Sequence, residues 1–409
     1  MPIKETPARI FRKCGLGFIL GIIFNFLIVN HCSFIFFPLL IGIFYFLIIV
    51  FDFFKSDFKI LIFLCFFFGL IRSFLFPEIS FQSLVPASFN QNLQELRLSL
   101  SRQFEKNLSS EDSALVNSLL FGGQDNLSFE MKEKFRKVGL SHVVAVSGYH
   151  LSVINQAIGY FQPVLNLPRA LFFLINLGLD AFFIGLTNFT PSVIRSGIMA
   201  FLVSLSFLNF RFYYPLNALF FSFLLMIFLQ PSLLFIDIGF QLSFLSTLGI
   251  IYYLPILKRI VFKKSESFYP VSSFYLKIKN FCLELILLNL SVLIIAWPWL
   301  VYQFNEFSLI SPLANLLILP VVPTIMFLSL ALLFFSYFSF YLTMVIIFFL
   351  KIVLNYFFLI IDALSALPYA SVVISGPWRF LVLFYYGFLF YFTYQYQLKQ
   401  KSLLYEKSS

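Results

Sequence analysis

The amino-acid sequence predicts an all-α polytopic membrane protein with about 11–12 transmembrane helices and an external amphipathic-helix region. Three observations predict it. The 409 residues are 60% hydrophobic and only 11% charged, far from the roughly 45–50% apolar and 25% charged of a soluble domain. The mean hydropathy is +0.93. Apolar runs long enough to span a bilayer, about 20 residues each, recur along almost the whole chain. The 62 phenylalanines suit lipid-facing and interhelical positions, so they do not by themselves point to a binding site.

The first three spans are predicted at 14–30, 34–51 and 58–76. The start mimics a signal peptide, but no small-residue cleavage site follows and another apolar run comes at once. It is read as a retained helix. Residues 77–140 form the only long polar region. Within it Phe89, Leu93, Leu96, Leu100, Phe104 and Leu108 recur at helical spacing. A second short helix is expected from Glu111 to Phe121, with Ser110 as N-cap and Gly122-Gly123 as the stop. A third is expected between Ser128 and Gly139, with Glu130 early and Lys134, Arg136 and Lys137 late, as the helix dipole favours.

Further spans are predicted at 142–161, 168–187, 191–209, 214–229 and 233–257, then, after a basic stretch, at 281–302, 309–335, 340–364 and 378–396. The domain reading is therefore 1–76 (three spans), 77–140 (external polar linker with amphipathic helices), 141–397 (transmembrane core) and 398–409 (cytoplasmic tail). Basic residues concentrate on the cytoplasmic side of membrane proteins. Lys4, Arg9, Arg12 and Lys13 place the N-terminus inside, and three spans then place 77–140 outside, where seven basic side chains face eight acidic ones. Five more spans return the chain inside at Lys258, Arg259, Lys263, Lys264, Lys277 and Lys279, and four more leave Lys399, Lys401 and Lys407 inside. This predicts a multi-pass protein of the cytoplasmic membrane with both termini inside. Cys14, Cys32, Cys65 and Cys282 are scattered, with no CxxC spacing.

Several polar residues fall where lipid would penalise them. In SHVVAVSGYHLSVI (141–154), His142, Ser147 and His150 fall within one sector of about 140° if the helix is continuous. They read as a polar packing or pore-lining face, as a Ser–His pair for an intramembrane enzyme, or as metal ligands. Two histidines eight apart without HExxH are a weak metal signal. Ser147 and His150, three apart on one helix, do not by themselves place a nucleophile and base in reach. Asp180 and Arg195 flank the turn TNFTPS and are expected to form a buried ion pair, or to present Arg195 to an anionic passenger. Asp237 and Gln241 lie on a polar stripe of another span.

A set of ordered motifs resembles a known family. The stretch ALVNSLLFGGQDNLSFEMKEKFRKVGLSHVVAVSGYHLSVI is similar to the ComEC family of competence proteins, which are DNA-uptake channels. FTPSVIRSGIMA, PLNAL…QPSLLFIDIGFQLSFLSTLGII and SLISPLANLLILPVVP follow in the family's order, and ALPYASVVISGPW resembles its late loop. The resemblance covers roughly 110–378. It implies a channel that passes single-stranded DNA inward during natural transformation. The DNA would arrive from a separate receptor and be met by a cytoplasmic motor or single-strand-binding proteins. A separate nuclease and a homo-oligomer are also implied. Two features depart from full-length members. The polar region before Ser110 is too short for the external OB-like domain, and no HxHxDH nuclease motif appears, so a minimal channel core is expected. No GxxxxGK[ST] loop and no cofactor signature is present. Candidates for the translocation path or for DNA contact are Arg72, Lys132, Lys134, Arg136, Lys137, His142, Ser147, His150, Arg195, Asp237 and Gln241. The rival reading is a secondary transporter of a small anion using Arg195 and Asp237, and beyond it a Ser/His enzyme.

Overall fold

The computed structural model describes residues 7–30, 64–69, 71–72, 78–123, 127–164, 166–262, 274–368, 370–373, 384–389, 391–393 and 395. The predicted span 34–51, most of 58–76, the basic loop at 263–273, much of 378–396 and the tail 398–409 lie outside the described residues.

Among the described residues the fold is helical, with one short antiparallel ribbon. In chain order the elements are α1 (Pro7–Asn30), α2 (Ala87–Asn107), α3 (Ser110–Phe121), α4 (Phe129–Val138), α5 (Ser141–Val144), α6 (Gly148–Val164), α7 (Arg169–Leu186), α8 (Pro191–Leu208), α9 (Pro215–Leu229), α10 (Leu233–Ile236), α11 (Ile238–Phe262), α12 (Phe274–Phe304), β1 (Glu306–Ser308), α13 (Ser311–Ile318), α14 (Val322–Phe335), α15 (Phe340–Ser365) and β2 (Ser371–Val373). Among the described residues, α7, α8, α11, Lys279–Phe304 of α12 and α15 are long and apolar enough to cross a membrane. Helices α13 and α14, bent by 41° at their junction, make a sixth span if they cross as one. Only 22–28% of each span's most apolar window is buried in the protein. The remaining apolar surface suits lipid, where a helix satisfies its own backbone. The protein is a multi-pass α-helical membrane protein.

Four expected spans differ in detail. The 142–161 span is interrupted at 145–147, between α5 and α6. The 233–257 span is broken at Asp237, which leaves the helix in an extended conformation (φ −92°, ψ 104°). The 309–335 span breaks between α13 and α14, each with a proline in its first turn, where the missing N–H costs nothing. Helix α9 has 15 residues, short of the usual spanning length.

Residue contacts divide the chain into two compact units. The first comprises Met1–Leu93, Asn155–Gly185 and Phe189–Gln241. In it α1 packs on α9 and on the helical segment at 64–72. A Cβ on Gly69 would lie 2.2 Å from the Phe18 carbonyl oxygen, and the Phe18 ring contacts Phe68 (5.9 Å) and Phe228 (6.2 Å). Helices α8 and α9 form an adjacent pair.

The second unit comprises Gln94–Ile154, Leu186–Asn188 and Leu242–Ser409. It contains most of 77–140, and in α3 Asp112 to Phe121 are all buried, with the helix packed on α5 and α14. Ser109, not Ser110, caps α3, because its hydroxyl accepts the Asp112 N–H. Helix α4 follows the expectation. Ser128 accepts the Met131 N–H, and Gly139 closes the helix in the left-handed region (φ +77°). The α4 face packs on α15, with Phe135 6.1 Å from Phe357. Helices α14 and α15 form a hairpin whose second helix is capped by Ser339.

Pro298 lies inside α12 and removes the N–H that would serve the Ile294 carbonyl. The Tyr385 hydroxyl donates to that carbonyl oxygen (2.9 Å), and Tyr386 donates to the next, Ile295 (2.8 Å). Tyr385 thus supplies the donor that the proline takes from the Ile294 carbonyl.

Candidate functional site

The break between α5 and α6 carries the most chemically distinctive group of the sequence. Ser147 precedes α6, and His150 is its third residue. The Ser147 N–H donates to His150 Nδ1 (3.1 Å), while the His150 N–H donates to the Ser147 carbonyl (3.1 Å). The first of these bonds is one half of a capping box, the N3 side chain reaching back to the N-cap N–H, with histidine where glutamate usually stands. Because Nδ1 accepts, the neutral ring carries its hydrogen on Nε2. Ser147 Oγ also lies 3.3 Å from Nδ1, so the two side chains are in reach after all. The reason is that the helix is broken there, which the continuous-helix expectation did not allow.

The expected common polar sector is not formed. His150 is fully buried, Ser147 is partly buried and His142 is exposed on α5. The neighbouring Tyr149 hydroxyl donates to the Leu319 carbonyl (2.9 Å), joining this break to the one between α13 and α14. A cap of this kind contributes about 1 kcal/mol. His150→Leu is therefore expected to lower the thermal unfolding midpoint of the purified protein in detergent, whereas His150→Gln, which keeps an acceptor, retains most of it. Ser147→Ala keeps the donating backbone and is expected to leave the midpoint nearly unchanged. A large loss from Ser147→Ala together with none from His150→Leu would remove the capping role.

The acidic and amide candidates at the other breaks are also engaged in shaping backbone. Asp237 ends α10, and its carboxylate accepts the Phe240 N–H at the start of α11. Gln241 Nε2 donates to the Leu234 carbonyl (2.9 Å). Both secure the α10–α11 break. The buried Asp180 does not meet Arg195 as expected. Its carboxylate accepts Asn155 Nδ2 (2.9 Å) from α6. The Arg195 guanidinium donates to Ser196 Oγ (3.1 Å) and to Met199 Sδ (3.4 Å) on its own helix. The turn between α7 and α8, with Asn188 and Phe189 both at φ +56°, thus does not close on an ion pair between its two helices.

Arg72, taken from sequence as a contact at the outer mouth, is 4% exposed. Its Nε donates to the Phe228 carbonyl (2.8 Å) and its Nη2 to that of Leu229 (3.0 Å). These are terminal carbonyls of α9, which have no partner inside the helix.

On α4, Lys134 pairs with Glu130 (2.9 Å) and Asp362 (3.0 Å). Those hydrogen bonds, Glu130 first, hold its ammonium above its ordinary pKa. Arg136 pairs with Glu133 (3.0 Å) and Glu306 (3.2 Å). Lys132 and Lys137 have no ion pair among the described residues and are the basic groups of α4 open to an outside anion.

Sequence reasoning missed Asn117, Asn315 and Ser329. All three are buried, and each has a side-chain polar atom with no hydrogen-bond partner among the described residues. Asn117 and Asn315 lie inside the ALVNSLLF and SLISPLANLL stretches that carry the family resemblance, the signal that could have found them, whereas Ser329 sits in a plain apolar run. Among the described residues no group of three or more His, Cys, Asp or Glu side chains is placed to hold a metal.

Comparison with known proteins gives two kinds of match. Residues 119–399 match the family described as Competence protein. The chain is 24% identical over 236 residues to ComE operon protein 3 of Bacillus subtilis (strain 168), which covers 58% of this chain and 28% of that protein. It is 34% identical over 165 residues to an uncharacterized protein of Aquifex aeolicus (strain VF5), covering 39% of this chain and 38% of that one. The chain thus spans well under half the length of these relatives. No solved structure matches.

Proposed function

The chain belongs to the Competence protein family, and on that premise we propose that it carries single-stranded DNA inward across the cytoplasmic membrane during natural transformation. The observation that carries this reading is the family match itself, which runs through both helix breaks of the second unit and continues to residue 399. The multi-pass fold supports it, since a polyanion cannot enter hydrocarbon and needs a water-filled protein passage. The topology proposed with it has both termini inside and 77–140 outside. Lys132 and Lys137 would then meet the phosphates at the outer face, the sequence-tolerant contact a moving strand requires. His142, exposed on α5, belongs to the same entrance. Partners in this reading are a DNA receptor, a cytoplasmic motor or single-strand-binding proteins, and a nuclease, each on another chain. On this view the protein is a channel, and no chemical step is assigned to Ser147 or His150.

The test is an in-frame deletion of the gene in its own organism, followed by a transformation assay with marked chromosomal DNA. Transformants are expected to fall to background and to return on complementation. An unchanged transformation frequency would overturn the reading.

A further inference from the structure

We infer that the passage runs through the second unit, along the seam where the 139–150 segment meets α3, α13 and α14, and that Asn117, His150, Asn315 and Ser329 line it with uncharged hydrogen-bonding groups. The inference rests on the channel reading above and assigns its interior.

The first observation is a group of buried polar atoms without partners. Asn117 is 6% exposed, Asn315 4%, and His150 and Ser329 0%. Both side-chain atoms of Asn117, His150 Nε2, Asn315 Oδ1 and Ser329 Oγ have no hydrogen-bond partner among the described residues. An unmet buried donor or acceptor costs about 1–3 kcal/mol. Five such atoms fall on four side chains of the second unit. Groups of this kind are met by water or by a polar solute.

The second observation is that the elements carrying them pack around one seam. A Cβ on Gly139 would lie 2.7 Å from Ser311 Cβ, so the 139–150 segment begins beside the start of α13. Ten residues later Tyr149 bonds to Leu319, at the end of α13. The segment therefore runs along α13 in the same direction. Asn315, whose Nδ2 donates to Ser311 Oγ (3.3 Å), lies on α13 between those two contacts. His150 follows Tyr149 directly. Helix α3, with Asn117, packs against both α5 and α14, and α14 carries Ser329.

The third is chemical. The capping of Ser147 makes His150 Nε2 a donor, the two amides offer donors and acceptors, and the serine offers either. Ionised side chains are absent from this set. Such a lining matches water, sugar hydroxyls and base edges, and it does not bind phosphate tightly. Conduction requires that a passenger be able to leave each contact. The cations Lys134 and Arg136, by contrast, are held by carboxylates of the protein itself.

The test is thiol accessibility in the full-length protein in membrane vesicles, after replacement of Cys14, Cys32, Cys65 and Cys282. Single cysteines at 117 and 329 are compared with cysteines at 115 and 325, where Leu115 and Ile325 are also buried on the same two helices. A small water-soluble methanethiosulfonate reagent is expected to modify 117 and 329 on the order of ten times faster than 115 and 325, as water-lined positions should. Equal protection at all four positions overturns the inference. A second measurement uses Asn117→Leu. A wet passage predicts normal protein amount with fewer transformants, whereas a dry core predicts a higher melting point and unchanged transformation, which also overturns it. The accessibility experiment contains no DNA, so the two readings fail separately. A wet seam in a strain that transforms without this gene removes the DNA assignment and keeps the passage, while a dry seam in a strain that needs the gene removes only this inference.

Discussion

Gly249→Ala is expected to lower the thermal unfolding midpoint and the amount of protein in the membrane sharply. A Cβ at that position would lie 2.4 Å from the Ser291 carbonyl oxygen, and 3.2 Å from both the Ser291 carbonyl carbon and Val292 Cα. All three are backbone atoms of α12, which cannot rotate out of the way as a side chain can. Close backbone approach at a small residue is how helices gain packing contact in a bilayer, where no hydrophobic force drives them together. Separating α11 from α12 to admit one methyl group costs about 1–3 kcal/mol, as other overpacked sites do. Gly178→Ala is the control, because its Cβ would meet nothing within 4 Å. That change is expected to be neutral or stabilising, since alanine favours a helix by roughly 1 kcal/mol over glycine. Equal midpoints for the two variants would show that the helices do not touch at Gly249.

Arg72→Ala is expected to destabilise the first unit by about 1.5–3 kcal/mol, in line with the loss of hydrogen bonds from a buried charged donor to half-buried terminal carbonyls. The Phe228 carbonyl would lose the guanidinium, and the Phe228 ring would lose a cation 5.4 Å from its centroid. Arg72→Lys keeps the charge but cannot span two carbonyls with one planar fork, so it is expected to recover only part of the loss. The measurement is the unfolding midpoint of the purified variants, read beside transformation frequency. Normal stability with lost transformation would return Arg72 to the set of DNA contacts.

Some of this molecule was legible from residue order alone. The 3.6-residue repeat in 87–107 gave α2, although only Leu93 and Phe104 of its apolar residues are buried within the helix, while Phe89 and Leu96 are exposed. Ser128 and Gly139 bounded α4 because a serine hydroxyl and a left-handed glycine are local devices that act within four residues. Other polar residues could not be interpreted locally. Asp180 has Arg195 close in sequence, but its hydrogen bond comes from Asn155, 25 positions back. Arg72 serves carbonyls more than 150 residues away. Ser147 and His150 face each other because the helix stops between Val144 and Gly148, which a run of apolar residues does not announce.

The sequence by itself determined that this is a multi-pass helical membrane protein and, through motifs in their order, which family it belongs to. Both are properties of composition and local spacing. Apolar length decides membrane insertion segment by segment. Only the tertiary structure decided what the polar residues set in apolar runs do. In an apolar medium a side-chain polar group takes whatever unpaired backbone or side-chain atom the fold places beside it, and the helix breaks at Ser147, at Asp237 and after Ile318 supply such atoms. Their partners lie on other helices or across a break, so the roles of Arg72, Asp180, Asp237 and His150 became readable only once the helices were packed.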